Sequence, residues 1–262
     1  MLKEIYQYVS TPVPSYIRQL GLLKESIGLE ARFQRCRVEW QPHYVQCQRA
    51  ITLAVEQTLV KNTIVIIGAG SLRDIPLDLL AEEFNRVILI DLLFLKQVKR
   101  RIKRYSNVQL IEMDITNGLK KLLTVSSIEV MSNFLSENPP QLMIEADCIV
   151  SLNLITQLPL VPTNFLSKKF NPNAFKIEYL VQLLINQHLV LLNAQKGVKC
   201  LIADREICEF DKQGKKVECF NPAWDVELPK VGLNWDWIAV PYRESTSKYQ
   251  QVHQVGCSIW VE

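Results

Sequence analysis

Ile64-Val65-Ile66-Ile67-Gly68-Ala69-Gly70-Ser71-Leu72-Arg73-Asp74 is the stretch whose reading decides the fold. A run of β-branched residues with no polar interruption suits a strand buried on both faces, which is the environment of a parallel sheet. It breaks at two glycines, where missing Cβ atoms let a ligand approach the backbone. Arg73-Asp74-Ile75-Pro76 is then expected to open a helix. A second apolar run, Val87-Ile88-Leu89-Ile90, ends in Asp91 and Leu92. An acid at that place, about 20 residues beyond the glycines, can accept hydrogen bonds from ribose hydroxyls. A third run, Gln109-Leu110-Ile111-Glu112-Met113, leads to Asp114-Ile115-Thr116. Three successive strands ending in glycine, acid and acid define the kind of crevice in which open α/β sheets bind ligands.

On these residues the chain, over about residues 60 to 262, resembles the class I S-adenosylmethionine-dependent methyltransferases. Cys148-Ile149-Val150-Ser151-Leu152-Asn153 is similar to that family's fourth strand and the loop after it. The resemblance implies a three-layer α/β fold with a Rossmann-like sheet, mostly parallel with an antiparallel last strand. It also implies S-adenosylmethionine as cofactor and methyl transfer to an unidentified acceptor. The residues it places at the cofactor are Gly68, Ala69 and Gly70 on the methionine part, Asp91 and Leu92 at the ribose, Asp114 and Ile115 at the adenine, and Ser151 and Asn153 beside it. Two departures stand out: Ile66 where the family commonly has an acid, and Ser71-Leu72 where a third glycine is common. Arg73 and Asp74 are the expected replacements, toward the carboxylate and the ammonium of the cofactor's amino acid.

Two other readings compete. A non-catalytic, methyltransferase-like scaffold would explain both departures. An NAD-dependent oxidoreductase shares the first two strands, but its Gly-x-Gly-x-x-Gly fingerprint needs glycine where Arg73 stands. The end of the chain favours the methyltransferase sheet, since Trp237-Ile238-Ala239-Val240 and Val255 to Val261 read as its final antiparallel pair.

Residues 1–60 read as a helical segment preceding an α/β domain over 61–262. Helices are expected over 15–38 and 43–60, with a boundary forced at Pro42. Trp40, His43, Tyr44 and Arg49 are candidates for the acceptor side, and His43 is the candidate base. His188, on an amphipathic helix over 165–192, is expected to be structural, and His253 exposed. A fifth strand is expected over 198–204 with Asp204 at its crevice end, followed by an insertion over about 207–236 with a hairpin turn at 211–215. Asn138-Pro139-Pro140-Gln141 resembles the motif of amino-group methylating enzymes, but it precedes the fourth strand and lacks the aromatic residue.

With 262 residues, 48% of them hydrophobic, the chain can bury one substantial core. No apolar stretch of about 20 residues and no signal-peptide pattern is present, so no membrane span is expected and the expected location is cytoplasmic. Seven cysteines without a Cys-x-x-Cys pair suggest free thiols and no metal site. The net charge of +3 excludes a strong electrostatic argument for nucleic acid. The exception is the basic cluster over 96–104, a solvated helix face or a landing site for RNA or an acidic partner.

Overall fold

The computed structural model describes residues 2–246 and 248–261. Four helices come first: α1 (Leu2–Ser10), α2 (Ser15–Gln19), α3 (Leu22–Arg35) and α4 (Arg37–Glu56). The alternating unit follows as β1 (Thr63–Ile67), α5 (Leu77–Glu83), β2 (Arg86–Asp91), α6 (Lys96–Arg101), β3 (Val108–Glu112), α7 (Leu119–Leu122), α8 (Ile128–Glu137) and β4 (Cys148–Leu152). It closes with α9 (Leu160–Phe170), α10 (Ala174–Asn193), β5 (Val198–Phe210), β6 (Lys216–Phe220), β7 (Leu233–Val240) and β8 (Gln250–Trp260).

The sheet runs β3-β2-β1-β4-β5-β8-β7, with β6 paired to β5 off this path. Strands β1 to β5 are parallel, and β8 lies antiparallel between β5 and β7. This is the mostly parallel sheet with an antiparallel strand at its end that the sequence led us to expect. Order reverses at β1, where β2 pairs on one side and β4 on the other, and a crevice forms outside the carboxyl ends of such neighbours.

The pleat of β1 divides the core. Ile64 and Ile66 pack with Cys47, Ala50, Ile51, Ala54 and Val55 of α4 and with Leu77 and Leu80 of α5. Val65 and Ile67 face Val181 and Ile185 of α10. Helix α3 instead joins Leu93, Leu95, Leu119 and Leu184 through Leu22, Leu23 and Ile27, and so lies across the carboxyl end of the sheet. Asparagine at 173 and serine at 127 cap α10 and α8 by accepting from Lys176 N and Val130 N, which fixes where these helices start.

Several expectations need correction. The break in the amino-terminal helices falls at Cys36, and Pro42 sits inside α4. Proline removes the hydrogen bond to residue 38, and Val38 is 82% exposed, so its carbonyl is within reach of water. The helix expected from Arg73 starts only at Leu77. The helix expected over 165–192 is two, separated at Asn171 in the left-handed region (φ 45°). Strand β5 runs on to Phe210, and Trp235 and Trp237 belong to β7, so the irregular segment between β6 and β7 spans only 221–232. Cys208 and Cys219 form a disulfide, contrary to the expectation of free thiols, because they are directly opposed across the β5–β6 hairpin. Much of the basic cluster is engaged within the chain: Lys99 with Glu112, Arg104 with Asp78, and Arg101 with the carbonyl of Leu72. Among the described residues no helix is long and apolar enough to cross a membrane.

Candidate functional site

A cavity of about 530 Å³ lies at the carboxyl ends of β1, β2 and β4, roofed by α3 and α4. Its floor is the glycine turn. Gly68 has φ +84°, and a Cβ there would stand 2.5 Å from the carbonyl oxygen of Leu152, so only glycine lets β1 turn this close to β4. Gly70, also at positive φ, donates its N–H to Asp91 Oδ2 at 2.7 Å, while Leu92 N donates to Oδ1 at 2.7 Å. Both oxygens are thereby aimed from β2 across the turn. Leu93 N–H also bears on the carboxylate, and with about four acceptor sites in all it keeps capacity for a ligand hydroxyl. Burial pushes the Asp91 carboxyl up, against the lowering effect of these backbone donors.

Asp114 is placed differently. Its Oδ1 accepts from Thr116 N and Oγ1 and its Oδ2 from Leu119 N, so the carboxylate shapes the loop after β3 while the residue, with Ile115, still borders the cavity. Asn153 sits in the left-handed region (φ 50°) just past β4 and turns its amide into the cavity wall, with Nδ2 donating to Asp74 Oδ2 at 3.4 Å. Its Oδ1 is buried without a partner. Asp74 is held at this network, and desolvation raises its carboxyl to about 6.

Ser151 is not brought to the cavity. It points to the opposite face of β4 and shares a 2.8 Å hydrogen bond with His188 Nε2, because adjacent strand residues alternate in direction. His188 is buried there, and desolvation lowers it to about 4. Arg73 borders the cavity, yet its guanidinium lies 3.7 Å over the Phe33 ring and pairs with Glu30. It therefore ties the glycine loop to α3. This bulky contact fits because the loop continues to Pro76 before α5 begins.

The acceptor-side candidates divide. Trp40, His43 and Tyr44 line the cavity, and Arg49 does not. His43 stacks on Trp237 with ring centroids 4.2 Å apart, and its Nδ1 accepts from Trp235 Nε1 at 3.0 Å. Desolvation lowers it to about 4. A neutral imidazole whose Nδ1 accepts carries its proton on Nε2, which leaves no free lone pair for a base. His43 is thus a buried strut of the aromatic wall.

Sequence reasoning missed His253. It lies on β8 and borders the cavity, with Nδ1 3.2 Å from Asp204 Oδ1 and its ring edge-on to Trp237. The expectation of exposure fails because β8 begins at Gln250, so His253 pairs with Ile207 inside the sheet.

The cavity border carries five carboxylates (Glu25, Glu30, Asp74, Asp91 and Asp114) against two guanidiniums (Arg32 and Arg73), a balance suited to a cationic ligand. The roof is pinned from outside: Arg35 binds Glu244 through Nε at 2.7 Å and Nη2 at 2.8 Å, and Arg243 grips both oxygens of Glu39. These guanidiniums hold both carboxyls below the usual range.

No family model and no curated protein sequence matches the chain. Among solved structures it is similar to the N-methyltransferase NodS from Bradyrhizobium japonicum WM9 in complex with S-adenosyl-L-homocysteine, at 12% identity over 80% of this chain and 85% of that chain, with a TM-score of 0.36. It is similar as well to 1,6-didemethyltoxoflavin-N1-methyltransferase from Burkholderia thailandensis, crystallised with 1,6-didemethyltoxoflavin and S-adenosylhomocysteine, at 12% identity over 95% and 92% of the chains, with a TM-score of 0.41. A DhpI complex with S-adenosylhomocysteine overlaps at 9% identity over 80% and 81%, with a TM-score of 0.38. The assignment of fold rests on the strand order and directions themselves: this chain has a Rossmann-like α/β sheet, mostly parallel, with β8 antiparallel between β5 and β7.

Proposed function

We propose that the chain binds S-adenosylmethionine in this crevice and transfers its methyl group to an acceptor held under the roof of α3 and α4. The observation that carries the reading is Asp91, whose Oδ2 accepts from Gly70 N–H and Oδ1 from Leu92 N–H, with Leu93 N–H bearing on the same carboxylate, so that it is held at the crevice by backbone and keeps acceptor capacity for a ribose hydroxyl. In this reading Gly68 to Gly70 cradle the methionine part, and Asp74 replaces the acid absent at 66 in meeting the ammonium. Asp114, Ile115 and Leu92 border the adenine. The sulfonium is favoured by the acidic border and by the rings of Tyr44 and Trp237, which attract cations.

The acceptor lies between Trp40, Trp237 and His253. Methyl transfer is an in-line displacement that depends mainly on positioning, and a roofed cavity of this size suits a small acceptor. Where the acceptor must lose a proton, His253 is the imidazole that borders the cavity beside it, with Asp204 Oδ1 3.2 Å from its Nδ1. NAD is disfavoured by Arg73 and by the short, proline-started α5, which offers no well-formed helix terminus for a pyrophosphate.

Calorimetric titration with S-adenosylmethionine, S-adenosylhomocysteine and NAD tests the reading. Binding of the first two is expected, weakened in Asp91→Ala by about 1–3 kcal/mol through the lost hydrogen bonds. Binding of NAD alone would overturn it, and silence with all three would leave a scaffold.

A further inference from the structure

On the face of β5 opposite His253, three ligand-bearing side chains converge outside the cavity. Glu206 and Cys208 are two residues apart on one strand and so share a face. Cys219 of β6 is the direct cross-strand partner of Cys208. Their ligand atoms lie within 4.8 Å of one another, with Cys208 Sγ 3.2 Å from Glu206 Oε2. Cys208 is buried, whereas Glu206 and Cys219 are half-buried, which leaves an approach from the β6 edge.

A disulfide is an odd neighbour for a carboxylate, since neither sulfur carries a proton to donate. A cation does approach Glu206, the ammonium of Lys216, but it is 3.7 Å away and more than half exposed. In the dithiol form the same three groups become a coherent donor set. Two thiolates and one carboxylate on a tetrahedral zinc ion, with bonds of about 2.3 Å and 2.0–2.2 Å, stand roughly 3.6 to 3.8 Å apart. The bonded sulfurs must part to reach that spacing on reduction, while Cys208 Sγ already stands 3.2 Å from Glu206 Oε2.

We propose that reduced Cys208 and Cys219, together with Glu206, form a zinc site that pins β6 to β5, with water in the fourth position. A phosphine or thiol supplies two electrons and the solvent two protons to turn the S–S bond into two thiols. A divalent ion then displaces both protons and binds the thiolates. The site is independent of cofactor binding, since its side chains lie on the other face of the sheet from the cavity.

The test uses the full chain, reduced with a phosphine under argon and freed of reductant and metal. Cobalt(II) is titrated as probe. The expected result is sulfur-to-cobalt charge-transfer absorption and intense tetrahedral d–d bands saturating at one equivalent, both removed by added zinc. Cys219→Ser, on a half-exposed edge strand, should abolish the charge-transfer band, and Glu206→Gln should weaken binding at least roughly tenfold. Cys257→Ala should keep the bands, which separates the site from the buried Cys200–Cys257 pair, whose sulfurs are 3.7 Å apart. Zinc should also protect Cys208 and Cys219 from alkylation in the wild-type chain, a readout that needs no variant. Absence of a one-equivalent complex, bands that survive Cys219→Ser, or alkylation indifferent to zinc would each overturn the proposal. S-adenosylmethionine binding, measured on the same samples, is expected to be unchanged.

Discussion

The two ends of the cavity are built in opposite ways. The end of the cavity proposed for the cofactor is made by the loops after β1, β2, β3 and β4, each a short segment directly following its strand. Its acceptor end is assembled from α3, α4, β7 and β8, which lie about two hundred residues apart in the chain and meet only in the fold, as Trp40 Nε1 on the carbonyl of Ala239 illustrates. The cofactor end is rigid by backbone geometry, with glycines and backbone N–H groups in fixed places. The acceptor end is rigid by side-chain packing, through stacked rings and a few buried hydrogen bonds. Backbone sites tolerate almost no substitution, whereas packed walls can be recut for different acceptors.

Breaking the backbone end should cost most. Gly68→Ala places a methyl group against the carbonyl of Leu152 at positive φ, and a loss of roughly 2–4 kcal/mol in unfolding free energy is expected by urea denaturation. An unchanged midpoint would show that the turn is not constrained as described. At the packed end, Trp235→Phe removes the donor to His43 Nδ1 and leaves a buried acceptor unsatisfied, for which we expect a loss of about 1–3 kcal/mol.

The pH dependence sharpens the contrast, because groups that respond in opposite directions are buried at the cavity (His43 and Asp74) and on the other face of β4 (His188). His43 and His188, both lowered to about 4, stay neutral in the fold while the unfolded chain takes up protons below about 6.5. Each therefore contributes stability above that pH that is lost on descending toward 4, up to about 3 kcal/mol apiece. Asp74, raised to about 6, acts oppositely: its neutral form is favoured in the fold, so its contribution to stability falls as pH rises from the ordinary carboxylate range to about 6. Thermal melts between pH 4 and 7 should show stability rising with pH, more steeply in Asp74→Asn than in the wild type. An equal slope in the two chains would remove Asp74 from the buried network.

Arg243→Ala should have the smallest effect on stability, with a urea midpoint close to that of the wild type, since the Arg243 side chain is exposed and such pairs are screened. Its consequence should be kinetic: with the roof unpinned from the segment after β7, ligand association measured by stopped flow should accelerate. A rate unchanged from the wild type would mean that the roof does not limit entry.

The same division governs what the sequence made legible. Strand order, the glycine turn, Asp91 and Asn153 were readable because each is a local pattern, a run of apolar residues and what immediately follows it. Ser151 was misplaced by one step of the pleat, since a strand's last residues alternate between cavity and core and a motif alone does not say which is which. His253 was missed as a cavity residue because β8 begins five residues earlier than its apolar run suggested. His43 was found as a residue and misread as a group, since its Trp235 donor lies 192 positions away. The Cys208–Cys219 pairing depends on β5 running past its apolar stretch into the hairpin, and nothing before Phe210 announces that extension.

The central claim is that the glycine–Asp91 crevice and the aromatic wall are two ends of one site, with the methyl group between them. It is tested most directly by the NMR signal of S-adenosylmethionine labelled with carbon-13 in its methyl group. We expect one bound methyl resonance, displaced by the rings of the wall, shifted again in Trp237→Leu at nearly unchanged affinity and lost in Asp91→Ala at ligand concentrations that saturate the wild type. A bound resonance indifferent to Trp237, or binding that survives Asp91→Ala intact, would contradict the account.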